Sequence, residues 1–281
     1  MLKLVILIIY FAVLIGIGLY CRKHATDVNG FVLGGRSVGP WLTAFAYGTS
    51  YFSAVVFVGY AGQFGWKYGI AATWAGIGNA IIGSLLAWVV LGRRTRIMSQ
   101  HLDSATMPQY FGKRFGSNPL KIGASVIIFI FLIPYTASLY NGLSRLFGMA
   151  FNIDYSVCII IMATLTAIYV IAGGYMATAI NDFIQGIIML FGIVAVIAAV
   201  IHSKGGFMSA LQGLANVSDP AVSDTPGIFA SFFGPDPFKL LCVVILTSLG
   251  TWGLPQMVQK FYAIDNEASI QKGTVISTIF A

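Results

Sequence analysis

Charge is what this sequence has least of. Only 9% of its residues are charged, where a soluble globular domain carries roughly 25%, so the chain lacks the polar surface needed to face water on all sides. Cysteine is scarce as well: Cys21, Cys158 and Cys242 are far apart and form no CxxC pair, which excludes a disulfide framework or a thiolate metal site and leaves small packing residues. His24, His101 and His202 are scattered, too few and too separate for a metal centre. No HExxH, no HxxxxD and no Ser/His pair suited to acyl transfer occurs. The chain does not read as an enzyme.

What is present is apolar. Hydrophobic residues make up 58% of the 281, arranged in runs near the 20 residues that cross a bilayer as helix. The runs cover 2–20, 41–62, 68–91, 122–147, 155–172, 183–201 and 238–258, and 274–281 turns apolar again. The first is as long as a membrane crossing and lacks a small-x-small cleavage site after it, so it reads as a retained helix. The formal net charge of +7 comes from Lys and Arg in short segments between runs, not from a basic face with stacking aromatics. It is a topology signal. With the N-terminus outside, eleven of these residues fall inside (among them Arg22, Lys23, Arg36, Arg93, Arg94, Arg96, Lys113, Arg114, Lys121 and Lys260) and five outside. The expectation is a multi-pass plasma-membrane protein with an outer N-terminus and no nucleic-acid partner.

Two runs are interrupted. Gly48, Thr49, Ser50 and Ser53 place a flexible, hydroxyl-rich patch near the centre of the second. A helix opened there frees carbonyl oxygens, hard ligands that suit sodium, and transporters use such unwound midpoints. Packing of small residues is the competing explanation. The seventh run holds Gly250, Gly253 and Pro255 around Trp252, and a proline there leaves a carbonyl one turn earlier unpaired. Paired interruptions point to a binding site between them.

Asp182 is the acidic residue deepest in an apolar neighbourhood. It reads as the N-cap of the sixth helix, with Gln185 completing a capping box and Gly173-Gly174 ending the helix before it; a cation site is the alternative. Asn79 and Asn141 are buried polar groups that meet either substrate or a neighbouring helix. Arg36 sits at a tight turn, as a topology charge or a gate. Thr106, Met107 and Pro108 read as the start of a short surface helix, and the prolines at 220, 226, 235 and 237 break up the longest outer segment.

Four motifs then fall in order over residues 31–261: FVLGGR at 31–36, TMPQYFGKRF at 106–115, YVIAGGY at 169–175 followed by DFIQ at 182–185, and GLPQMVQKF at 253–261. Together they resemble the sodium:solute symporter family. The resemblance implies an all-α, LeuT-like five-plus-five inverted-repeat membrane fold as one domain, with helix 2–20 peripheral, the first repeat at 41–202 and a truncated second repeat from 238 to 281. It implies sodium-coupled uptake of a small organic solute by alternating access, with sodium as coupling ion and no other cofactor. By the family's pattern the backbone carbonyls of Thr49 and Phe52 bind sodium, while Ser53, Val56, Ser248, Thr251 and Trp252 face the solute, with Asn79 nearby.

Two departures bear on the solute. Thr251 stands where sugar-carrying relatives often place an aromatic plug, and Tyr51 where proline-carrying relatives place an acid. The family's remaining sodium ligands are hydroxyls on a later helix, beyond residue 281, so the chain is expected to be an N-terminal fragment of a longer symporter. The alternative function is a symporter-like sensor module of a signalling protein.

Overall fold

The computed structural model describes residues 2–52 and 60–281. Among them the chain is helical, without a sheet, as lipid requires: a backbone that cannot hydrogen-bond to water must satisfy itself within a helix. The elements are α1 (Leu2–Cys21), α2 (Val28–Leu33), α3 (Pro40–Tyr51), α4 (Gly62–His101), α5 (Met107–Phe115), α6 (Asn118–Phe151), α7 (Tyr155–Ser203), α8 (Phe207–Ala215), α9 (Pro237–Gly250), α10 (Pro255–Ala263) and α11 (Glu267–Phe280). α4, α6 and α7 are each long and apolar enough to cross a membrane, and α9 and α10 are so only when taken together, as a pair bent by 46°. The chain is a multi-pass membrane protein.

Local sequence sets the ends. Pro40 opens α3 at a position where a missing N–H costs nothing. The Thr106 hydroxyl accepts from Gln109 N–H at 3.4 Å, while the Gln109 carbonyl oxygen takes Ala105 N–H at 3.0 Å, so the expected surface helix α5 starts on a reciprocal cap. Ser117 caps α6, accepting from Leu120 N–H at 3.3 Å. The most apolar stretch of α6 buries none of its residues inside the protein, as a lipid-facing helix should.

α7 is two helical segments joined at Gly174, whose φ of 57° and ψ of −150° break the helical path. A Cβ there would sit 2.8 Å from the Phe31 carbonyl oxygen, so the reversal needs glycine. The expected end of the fifth run at Gly173-Gly174 is therefore found. The second segment resumes at once, and Asp182 lies well inside it. Asp182 is not an N-cap, and the capping box with Gln185 is not formed.

α1 packs along α7, and α3 lies between α7 and α11. α10 is the buried centre. Val258 and Tyr262 join Leu33, Val38, Tyr175 and Ala179 in one cluster, and Met257 and Phe261 join Tyr47, Tyr51, Trp88 and Ile270 in another. Lipid tails are as apolar as these side chains, so the clusters hold by close packing rather than by escape from water. Polar contacts fix the end of α10. Arg36 reaches Tyr262 O at 3.2 Å, and Arg96 reaches Ile264 O at 2.6 Å and Asp265 O at 2.9 Å, two guanidinium groups at the carbonyl end of one helix. Cys21 and Cys158 are buried packing residues as expected, whereas Cys242 is exposed.

Candidate functional site

Three spans meet on one asparagine. The side-chain amide oxygen Oδ1 of Asn79, on α4, accepts from the Tyr51 hydroxyl at 2.8 Å and from the Ser248 hydroxyl at 3.0 Å. Tyr51 ends α3, and Ser248 lies in the last turns of α9. The single phenolic proton of Tyr51 is shared with the Thr247 carbonyl, 3.1 Å away. Asn79 and Ser248 are buried, with 7% and 0% of their surface exposed, so each must find its partner within the protein. The node ties both interrupted spans to the helix between them.

α4 runs as wide π-turns over Asn79–Leu86 and Trp88–Gly92, a local form often found at functional sites. Two of its carbonyls take side-chain donors: Trp252 Nε1 donates to Ile82 O and the Tyr47 hydroxyl to Gly83 O, both at 3.0 Å. Tyr51 passes directly over Gly83, where any Cβ would collide with the tyrosine hydroxyl. The Thr251 hydroxyl turns back to Ser248 O at 3.0 Å, inside the bend. Asn79, Ser248, Thr251 and Trp252, four residues expected at a solute site, thus lie on or beside one node.

α3 ends at Tyr51, within the stretch where a break is expected, and residues 53–59 lie outside the described residues. The last described bond of that helix runs from Phe52 N–H to Gly48 O at 2.8 Å, and Phe52 has left helical geometry, with φ −91° and ψ 61°. The Thr49 hydroxyl returns to Phe45 O at 2.9 Å. Ser53 and Val56 lie outside the described residues.

A second polar centre sits where α7 meets α10. Lys260 Nζ is 3.5 Å from Asp182 Oδ2 and 5.1 Å from the centre of the Tyr175 ring. The side chains are 8% and 23% exposed, lysine first. Lys260, counted from sequence as a topology charge, is instead a buried ion-pair partner. The neighbouring Asn181 amide and the Tyr175 hydroxyl are buried without a hydrogen-bond partner among the described residues. Removing one partner of such an enclosed pair leaves the other charge uncompensated.

Asn141 belongs to neither centre. Expected to be buried, it is instead exposed, and it accepts from Arg145 Nε on its own helix at 2.9 Å and from the Tyr155 hydroxyl of α7 at 3.1 Å. Arg36 does more than set topology: besides Tyr262 it bonds Ser99 Oγ, Ser99 O and Ser104 O. Burial pulls its guanidinium below the ordinary value, opposed by the nearby Asp103 charge.

Sequence reasoning treated Tyr51 only as a departure from relatives and did not see it as the joining residue. The available signal was a phenol one turn beyond Tyr47 at the point where the helix opens. The pairing of Asp182 with Lys260 spans two separate helices and left no local trace.

The sequence model of the sodium:solute symporter family matches residues 31–281. Among curated proteins, the sodium/proline symporters of Staphylococcus aureus strains JH9 and NCTC 8325 / PS 47 are each 32% identical over 278 residues, covering 95% of this chain and 51% of theirs. The chain spans about half the length of these curated relatives.

Proposed function

Because the chain belongs to the sodium:solute symporter family, we propose that it forms the front part of a sodium-coupled carrier that takes up a small organic solute by alternating access. The observation that carries this reading is the Tyr51–Asn79–Ser248 node, which joins two interrupted spans at one buried polar point. Transporters with repeated architecture place their sites between such helices, and the proposed fold is the LeuT-like five-plus-five repeat, with 41–202 as its first half and 238–281 opening its second.

In this reading sodium is held by the Thr49 and Phe52 carbonyls where α3 ends, and the solute faces Ser53, Val56, Asn79, Ser248, Thr251 and Trp252. Carbonyl oxygens suit a hard cation and need no deprotonation to bind it. Neutral donors and an aromatic ring line the solute side, so selectivity rests on hydrogen bonds and shape. The named relatives carry proline, which makes proline and similar small zwitterions the first solutes to try. Tyr51, a neutral phenol, argues for a solute range of its own.

Sodium supplies the driving force: one charge moving through 100 mV releases about 2.3 kcal/mol. The Asp182–Lys260 latch closes one side of the carrier and opens as α10 moves against α7. The protein sits in the plasma membrane with its N-terminus outside. The test is uptake of radiolabelled solutes by cells expressing the whole gene, in sodium and in potassium buffer. Sodium-dependent uptake that Ser248→Ala weakens is expected; uptake equal in both buffers would overturn the coupling.

A further inference from the structure

Beside the polar end of α6, the residues around α2, α5 and the loop before α5 enclose a cavity of about 560 Å³, within the size range of small-molecule sites. Its wall carries both signs of charge in equal number, Asp27 and Asp103 against Lys113 and Lys121. Several of these groups keep bonding capacity. Asp27 spends one carboxylate oxygen on Gly30 N–H at 3.1 Å, and Lys113 one N–H on the Asp103 carbonyl at 2.6 Å. Among the described residues, no hydrogen bond or ion pair holds the Asp103 carboxylate or the Lys121 ammonium, though Arg36 acts on Asp103 electrostatically. The Lys121 stem lies against Gly112, where a Cβ would come within 2.8 Å of it.

The cavity also lies at a boundary. The wall takes in Asn118 and Lys121, and the next residue of α6, Ile122, is 63% exposed, with Val126 and Phe129 continuing the exposed apolar face. Phe115, at the end of α5, is 67% exposed beside it. Charged groups thus meet lipid-facing side chains within one helical turn, the depth at which phospholipid headgroups lie.

We propose that this cavity binds the headgroup of a primary-amine phospholipid, a phosphoethanolamine. Its phosphate accepts from Lys121 and Lys113, its ammonium donates to Asp103 and Asp27, and its acyl chains lie along the exposed face of α6. The two signs of charge select for a zwitterion. A purely anionic headgroup meets two carboxylates, and a choline headgroup offers no N–H to them. Asp103 and Ala105 flank Ser104, whose carbonyl Arg36 binds at 2.8 Å. The lipid therefore braces the loop that Arg36 clamps to the end of α10.

The experiment is native mass spectrometry of the protein purified from the whole gene, titrated separately with dioleoyl phosphatidylethanolamine, phosphatidylcholine and phosphatidylglycerol. The ethanolamine lipid is expected to bind about tenfold better than the other two, the value of one charge-assisted hydrogen bond. Asp103→Asn should bring it to parity, whereas Lys121→Gln should weaken all three lipids, since each carries the phosphate. Asp103 has a φ of 44°, a conformation that asparagine tolerates, so the first variant is built to fold. Equal binding of all three lipids, meaning surface annulus only, overturns the proposal. So does a preference that Asp103→Asn retains. The wild-type comparison of the three lipids decides by itself if a variant fails to fold.

Discussion

Lys260 on α10 sets its ammonium 3.5 Å from the Asp182 carboxylate on α7, and the Tyr175 ring closes over it 5.1 Å away. The lysine is 6% exposed, so its charge cannot turn to bulk water if the carboxylate is removed. Breaking a buried pair from one side typically costs about 3–5 kcal/mol, because an uncompensated charge is left behind. Asp182→Asn and Lys260→Met should each lower the thermal midpoint of the detergent-solubilised protein, and the double variant should recover much of the loss. Midpoints that fall additively in the double variant would show that the two residues are not coupled.

Tyr51 and Asn79 should be unequal. Tyr51→Phe removes one hydroxyl, and Asn79 keeps Ser248 as donor at 3.0 Å. Asn79→Ala takes from the buried Ser248 hydroxyl its acceptor and leaves Tyr51 only the Thr247 carbonyl at 3.1 Å. Leaving such groups unsatisfied costs about 1–3 kcal/mol, so Asn79→Ala should unfold at a clearly lower temperature than Tyr51→Phe. A Tyr51→Phe protein as unstable as Asn79→Ala would mean that the phenol, not the asparagine, carries the node.

Gly83 gives a steric test of the same place. An alanine methyl there collides with the Tyr51 hydroxyl, while nothing lies within 4 Å of a Cβ at Gly142 on α6. Alanine is the better helix former by up to about 1 kcal/mol. Gly142→Ala should therefore be neutral or stabilising and Gly83→Ala destabilising. Adding Tyr51→Phe to Gly83→Ala should recover part of the loss, since the ring carbon beneath the hydroxyl remains within 2.7 Å. Equal melting of the two alanine variants would remove the close approach from the account.

The span pattern was legible because lipid leaves a chain few choices. Apolar runs near 20 residues had to be helices, and the stretch expected at 122–147 lies inside α6. The interruption around Gly250 and Pro255 was legible too, since glycine and proline inside an apolar run bend a helix, and α9 and α10 meet there at 46°. Asp182 misled. A capping box is a local pattern, and Asp182 with Gln185 after two glycines satisfies it, but α7 resumes helical geometry immediately after Gly174 and carries the acid inward to Lys260. Long-range pairs of this kind depend on which helix faces meet. A single sequence records only the faces.

Arg36 gives the last test, because its geometry cannot be copied by another cation. It holds φ at 57° and spreads its guanidinium over Ser99 Oγ, Ser99 O, Ser104 O and Tyr262 O at 2.8–3.3 Å. A lysine carries the same charge but is a compact point donor without the planar fork. Arg36→Lys should therefore lose several bonds at once and destabilise by about 2–3 kcal/mol, at about 0.5–1.5 kcal/mol for each. The pH response separates this from a loss of charge. Burial lowers the Arg36 value, so between the folded and the ordinary value the unfolded chain binds more protons, and stability rises with pH only in that strongly alkaline range. From about pH 5 to 9 both states keep the proton, and the difference between wild type and Arg36→Lys should stay flat. A gap that opens or closes across neutral pH would assign the clamp to a titrating partner instead of the fork.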